Sequence, residues 1–159
     1  MGPPPRQILT RAPMHQALAH YPYRKSWMKK TYSGSCHCSA VRFEVDLDLS
    51  EGTFKCNCEM CTKTRMWSAI AKPSDFRLLA GEADLRDYHP NAIHHIFCRH
   101  CGLRPFAWGD NAALGGKFYA VRVHCLEDLD VDELINAPVT YFDGRNDNYQ
   151  SPPPEIRHL

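Results

Sequence analysis

The stretch Val41-Arg42-Phe43-Glu44-Val45 alternates apolar and polar side chains, and Lys117-Phe118-Tyr119-Ala120-Val121-Arg122-Val123 repeats the pattern after the turn signal Gly115-Gly116. A period of two sends successive side chains to opposite faces, so both segments read as half-buried strands. Shorter strands are predicted over 76–79, 85–88, 93–97 and 106–108, punctuated by Ala80-Gly81-Glu82 and Pro90-Asn91. One short helix is predicted over 131–135, with Asp130 as its candidate cap and Pro138 beyond its end. No apolar run approaches the roughly 18 residues a membrane span needs. There is no βαβ alternation, internal repeat or Gly-rich phosphate loop. The pattern therefore predicts a mainly β domain of several short sheets, with Ser151-Pro152-Pro153-Pro154 as a polyproline-like exit.

Composition narrows this picture. The 159 residues suit one domain. At 43% hydrophobic and 23% charged residues, wholesale disorder is excluded. The net charge of +1 excludes a polycation for nucleic acid. The charge is uneven, however. Residues 1–30 hold six basic residues and no acid, while 31–159 hold 13 basic and 18 acidic ones. Residues 1–27 read as a flexible basic extension, 28–150 as the domain, and 151–159 as a Pro-rich tail. A mitochondrial-type targeting segment would be basic and acid-free, but Pro3, Pro4 and Pro5 spoil an early amphipathic helix. Four basic residues before Met28 are thin for a nucleic-acid arm. The preferred reading is an upstream start codon or a run of added, non-native residues, with Met28 as the working start. No apolar signal-peptide core is present, so the cytoplasm is the expected compartment.

The unusual feature is eight cysteines, at 36, 38, 56, 58, 61, 98, 101 and 125. They group as Cys36-His37-Cys38, Cys56-Asn57-Cys58-Glu59-Met60-Cys61 and Cys98-Arg99-His100-Cys101-Gly102, with Cys125 alone. A disulfide framework suits small secreted chains. Residues i and i+2 of an extended segment sit near or beyond the separation a strain-free disulfide accepts. The same geometry suits a metal, which needs several sulfurs converging from one side. Thiolates favour zinc, Cu(I) or iron–sulfur clusters, and the spacing lacks the usual ferredoxin run. Cys98-x-x-Cys101-Gly102 has the form of a zinc knuckle, in which glycine lets the chain turn under the sulfurs.

Structural zinc takes four ligands in a closed tetrahedron. The three neighbours Cys56, Cys58 and Cys61 are not easily divided between distant sites. Cys36, Cys38, Cys98 and Cys101 then make the closed site, clipping the start of the domain to its middle. The trio would hold a second zinc with one open position, the mark of a catalytic ion. Cys125 reads as a small buried hydrophobe, with a reserve ligand as the alternative.

These motifs are familiar together. Tyr32-Ser33-Gly34-Ser35-Cys36-His37-Cys38, Val41-Arg42-Phe43, the Cys56–Cys61 run and Phe97-Cys98-Arg99-His100-Cys101-Gly102 resemble the glutathione-dependent formaldehyde-activating enzyme family, which includes centromere protein V. The ending Tyr141-Phe142-Asp143-Gly144-Arg145-Asn146-Asp147-Asn148-Tyr149 resembles that of many bacterial members. The resemblance spans residues 32–150. It implies a β-tent fold of small antiparallel sheets and two zinc ions on the same seven cysteines. It further implies a carbon–sulfur lyase activity that forms S-(hydroxymethyl)glutathione from glutathione and formaldehyde. Leu103-Arg104-Pro105-Phe106 and the 143–149 ending fit the broad family better than the strict formaldehyde enzymes.

The expected chemistry is zinc-assisted addition of a thiol to formaldehyde or another small aldehyde. The alternative is a zinc-stabilised carrier or binding module without catalysis. A nucleic-acid or cytoskeletal role is disfavoured by the acidic balance of 31–159, since phosphate binding needs clustered Lys and Arg. Glutathione carries two carboxylates, so Lys63, Arg65, Arg104 and Arg145 are candidate contacts, with solvated surface charge as the alternative for each. Trp67 is a candidate pocket wall or a core residue. Asn57 and Glu59 are candidate supports for the ligands. His37 and His100 flank ligand cysteines, and at most one of His94 and His95 faces inward on a strand. The pairs Glu127-Asp128 and Asp132-Glu133 read as a solvated acidic face.

Overall fold

The structure, a computed structural model, describes residues 29–90 and 92–159. The predicted extension 1–27 and the start at Met28 lie outside those residues. Ten strands form: β1 Lys30–Ser35, β2 Arg42–Leu47, β3 Thr53–Cys56, β4 Ser68–Ala71, β5 Phe76–Ala80, β6 Leu85–Tyr88, β7 Ile93–Cys98, β8 Phe106–Asn111, β9 Gly116–Arg122 and β10 Val139–Phe142. Two short helices join them, α1 Glu59–Lys63 and α2 Val131–Asn136. The strands make a three-stranded sheet, β1-β2-β5, and a seven-stranded sheet, β10-β3-β4-β9-β8-β7-β6. The class is mainly β, as the alternation predicts, and the arrangement is consistent with a β-tent. Every pairing is antiparallel except β10 on β3, where Val139 lies opposite Thr53 and Phe142 opposite Cys56. None of the described helices is long and apolar enough to cross a membrane.

The main core lies between the sheets. Tyr32, Val41, Phe43, Val45 and Leu47 meet Ala69, Ala71, Ile96, Phe106, Val121 and Val123. Phe76 ties the sheets together, stacked 4.2 Å from Tyr119 and set edge-on 4.7 Å from Phe106. Directly opposed residues of an antiparallel pair share a face. The row Tyr88, His95, Ala107, Ala120 and Ile70 therefore lies on the other, outer face of the seven-stranded sheet. Ser68 and Arg122 face each other one row along. A second, smaller apolar cluster of Ala107, Phe118 and Ala120, with Phe54 and Ile93 against it, covers part of this face.

Helix α2 begins where the sequence places it, with the Asp130 side chain accepting from the Asp132 N–H. The acidic face is corrected at Glu133, which is 2% exposed. Its carboxylate accepts from Lys30 Nζ at 2.6 Å and from the Tyr32 hydroxyl, so a carboxyl that reads as solvated is an internal tie between α2 and β1. The tail turns back on the domain. Lys55 Nζ donates to the Leu159 carbonyl at 3.0 Å and Arg65 Nη1 to the His158 carbonyl at 2.8 Å. Pro153 is buried.

Candidate metal centres

Two groups of cysteines converge, Cys36/Cys38/Cys98/Cys101 and Cys56/Cys58/Cys61, each with its sulfurs within 4.8 Å of one another. All eight cysteines are free thiols. In the first group Cys36 and Cys38 sulfurs are 3.6 Å apart, and Cys38 and Cys98 sulfurs 3.7 Å. A tetrahedron with metal–sulfur bonds of about 2.3 Å has an edge of about 3.8 Å. The spacing thus fits four thiolates around one zinc-sized ion and is far too long for S–S bonds.

Two matching turns build this group. Cys36 N–H donates to the Val41 carbonyl at 3.0 Å, and Cys98 N–H to the Leu103 carbonyl at 2.9 Å. Each turn contains one residue in the left-handed region, Ser39 at φ 58° and Gly102 at φ 72°. That twist brings amide N–H groups round onto sulfur, as Val41 N–H does to Cys36 Sγ at 3.4 Å. Backbone donors of this kind stabilise thiolate over thiol. The first turn follows β1 of the small sheet and the second follows β7 of the large one, so a bound ion would staple the two sheets.

The trio is local by comparison. β3 ends on Cys56, Cys58 caps α1 by accepting from Cys61 N–H, and one helical turn carries Cys61 back to the same side. Contact among the three sulfurs makes the first proton easy to lose. Hydrogen bonds from Cys56 and Cys61 push the Cys58 thiol down to about 2. Hydrogen bonds with Cys56 and Cys58 push the Cys61 thiol up. The loop after β10 forms the far wall. Asn57 Nδ2 donates to Asp143 Oδ1 at 2.5 Å, while Asn57 Oδ1 accepts from the Arg145 N–H at 2.8 Å. Asn146 Nδ2 holds the other Asp143 oxygen at 2.8 Å. Asn57 thus supports the trio through both ends of its amide. A Cβ on Gly144 would stand 2.6 Å from Cys56 Sγ and 3.2 Å from Cys58 Cβ, so only glycine lets this loop close. The wall-building roles of Asp143 and Gly144 are absent from the spacing of the cysteines.

The four candidate cations fare differently. Lys63 is exposed and ion-paired to Glu59 at 2.5 Å, a pair one helical turn apart that leaves Glu59 on the surface rather than under the sulfurs. Arg145 contributes its backbone to the wall and is exposed. Arg65 borders a cavity of 210 Å³ that also reaches Cys56, Cys61, Trp67 and His124, with His158 and Leu159 of the tail on its edge. Trp67 both lines this cavity and packs on the core. Arg104 Nη1 lies 2.8 Å from Met60 Sδ, between two of the three ligands in sequence.

Among the described residues no histidine joins either group of converging sulfurs. His100 bonds Asp84 at 2.8 Å, and His94 bonds Asp87 at 2.5 Å and stacks on Trp108. His94 shares the core-side face with Trp108 and Tyr119, while His95, on the outer face of the seven-stranded sheet, is the more buried of the consecutive pair, 7% exposed. Its Nδ1 is the only buried side-chain nitrogen or oxygen without a hydrogen-bond partner among the described residues. Burial pushes its pKa below the usual value, and the nearby Arg104 and Arg122 act in the same direction. Arg122 is 9% exposed, and its recorded side-chain partner is the Ser68 hydroxyl, 3.2 Å from Nη1. Burial lowers its pKa, negative charge on the sulfurs of Cys61, Cys125 and Cys58 opposes this, and Arg104 adds to it. Sequence patterning marks Arg122 and His95 only as strand residues. Cys125 is buried in the main core, apart from both sulfur groups.

Comparison with known proteins places this geometry. The family model for glutathione-dependent formaldehyde-activating enzyme matches residues 31–142. A crystal structure of a Rhodobacter sphaeroides protein, a structural-genomics target, is similar with a TM-score of 0.57 at 31% identity. The match covers 68% of this chain and 99% of that one.

Proposed function

The chain belongs to the glutathione-dependent formaldehyde-activating enzyme family, and on that premise we propose that it is a zinc-dependent carbon–sulfur lyase-type enzyme promoting addition of glutathione to formaldehyde or another small aldehyde. The observation that carries this reading is the inequality of the two sulfur groups, four converging thiols in one and three in the other. When bound at the trio, zinc would supply one free coordination position that takes the substrate sulfur as thiolate.

The residues around it supply the rest. Cys56, Cys58 and Cys61 would hold the ion. The Asn57–Asp143 hydrogen bond and the close approach of Gly144 fix the loop after β10 beside the trio. The cavity beside Cys56 and Cys61 is the size of a small organic fragment, and Trp67 gives it an apolar wall. A free thiol is mostly protonated at neutral pH, so holding it as thiolate raises the fraction able to attack. The new bond joins that sulfur to the aldehyde carbon, and the proton lost by the thiol ends on the carbonyl oxygen. Cys36, Cys38, Cys98 and Cys101 would hold the structural ion.

The experiment is metal analysis by mass spectrometry before and after mild chelation, followed by exchange NMR of glutathione with formaldehyde and larger aldehydes. Two zinc ions per chain, one of them labile, and exchange faster than with Cys58→Ser, are expected. A single tightly held zinc, or equal exchange with the variant for every aldehyde, overturns the assignment.

A further inference from the structure

We propose that the outer face of the seven-stranded sheet, beside the three-sulfur group, carries an anion subsite in which Arg104, Arg122 and His95 hold a carboxylate of the thiol substrate. This deepens the thiol-addition reading and rests on it.

Three groups come together here. His95 lies directly opposite Tyr88 on the outer face, and the Arg104 guanidinium stands 6.0 Å from the Tyr88 ring. The Arg122 N–H donates to the Pro105 carbonyl at 3.0 Å, so the chain just past Arg104 is fastened to β9. Arg122 shares the outer face with Ala120, and Ala120 is linked through Ala107 to His95 across neighbouring strands. Arg104 also contacts Met60, the residue between Cys58 and Cys61 in α1.

Among the described residues, none of the three groups is ion-paired to a carboxylate. The negative charge acting on them is that of Cys61, Cys125 and Cys58 on Arg122, and of Cys58 and Asp87 on His95. Arg122 is a buried cation whose recorded side-chain contact is a neutral hydroxyl. Buried charges are ordinarily paired, because desolvation is costly and a lone hydroxyl repays little of it. Two guanidiniums in each other's field add repulsion. The Nδ1 of His95, buried and without a partner, completes the set. A carboxylate would satisfy both guanidiniums, with two parallel bonds available from a fork, and would accept from His95 when Nδ1 carries the proton.

Charge arithmetic favours the same ligand. Three thiolates around a divalent ion leave one net negative charge, which repels an anionic thiol. Arg104 and Arg122 turn that into one net positive charge. The site then discriminates by the carboxylate, selecting acidic thiols such as glutathione over neutral ones of similar size.

The test is calorimetric titration of the zinc-loaded full chain with glutathione and with glutathione diethyl ester, which keeps the thiol and loses both carboxylates. Glutathione is expected to bind about tenfold or more tightly than the ester. Arg104→Gln is expected to bring glutathione down to the ester's affinity and leave the ester unchanged. Arg122→Lys, which keeps a charge but loses the fork, preserves the measurement should Arg122→Gln fail to fold, and is expected to narrow the ratio in part. Equal affinities in the unaltered protein, or a loss in Arg104→Gln shared by both ligands, overturns the subsite and leaves thiol binding intact. Binding of neither ligand overturns the thiol reading, and the subsite with it.

Discussion

The two sulfur groups have the same chemistry and opposite places in the fold. Cys36 and Cys38 leave the three-stranded sheet and Cys98 and Cys101 leave the seven-stranded one, so an ion there joins parts of the chain about sixty residues apart. Cys56, Cys58 and Cys61 lie within one turn of chain, and the support around them is polar, glycine-containing loop. With an ion bound, the first arrangement would concentrate folding free energy in it. The second would leave the sheets standing without one and free that site for a ligand, as the proposed function requires. Number of ligands and reach across the fold thus change together.

The contrast breaks most sharply in paired variants. Cys98→Ser is expected to remove the sheet-joining ion and most of the cooperative thermal transition. The apparent binding free energy of structural zinc, about 10–16 kcal/mol in zinc-finger peptides, is as large as a whole domain's stability. Cys58→Ser is expected to abolish thiol addition with a melting curve close to the original, since serine still caps α1. Circular dichroism melts of the two read the difference, and equal destabilisation would erase the division of labour. Next in size is Gly144→Ala. Its Cβ would press on Cys56 Sγ at 2.6 Å, and affinity for the second ion should fall about a hundredfold, read by competition with a chelator. The first ion should stay bound.

A milder test is Asp143→Ala, which frees the Asn57 amide from its 2.5 Å contact. Affinity at the trio should fall about tenfold, with no change at the four-sulfur group. The smallest effect is acid-linked and confined to the small sheet. Asp46 accepts from Arg77 at 3.0 and 3.1 Å and from Thr31 at 2.6 Å, and these bonds hold its carboxyl down to about 2. A carboxyl lowered in the fold contributes stability above its unfolded value of 3.8, lost as pH falls toward 2. The pair is solvent-exposed, so the change should be less than about 2 °C in Tm between pH 4 and 2. Melting Arg77→Gln in parallel removes the metal's own pH dependence, which both proteins share, and the variant should show the flatter curve.

The cysteine groups were legible because ligand chemistry is written in short spacings. Strands β2 and β9 were legible because alternation survives where one face is buried and the other is not. The equally short β5 and β6 were legible from the turn signals that bound them, whereas β3, helix α1 and β4 follow one another through the cysteine loop with no Gly or Pro between them. The parallel pairing of β10 on β3 joins positions more than eighty residues apart, and nothing local encodes it. For the same reason the wall of the trio, Asp143 and Gly144, entered only through a family likeness. Glu133 read as solvent-facing because neighbouring acids suggest a surface, whereas Lys30 and Tyr32 reach it from β1. Arg122 and His95 looked like ordinary strand residues. Only the register of three strands, β7, β8 and β9, brings them to one face.

The parallel pairing also sets an order of assembly on the ribosome. Every cysteine of the sheet-joining group has been synthesised by residue 101, while the strand that walls the trio begins at Val139. If both groups take ions as proposed, the nascent chain could capture the first well before the second has a finished seat, and loading of the trio would wait for the last strand to emerge.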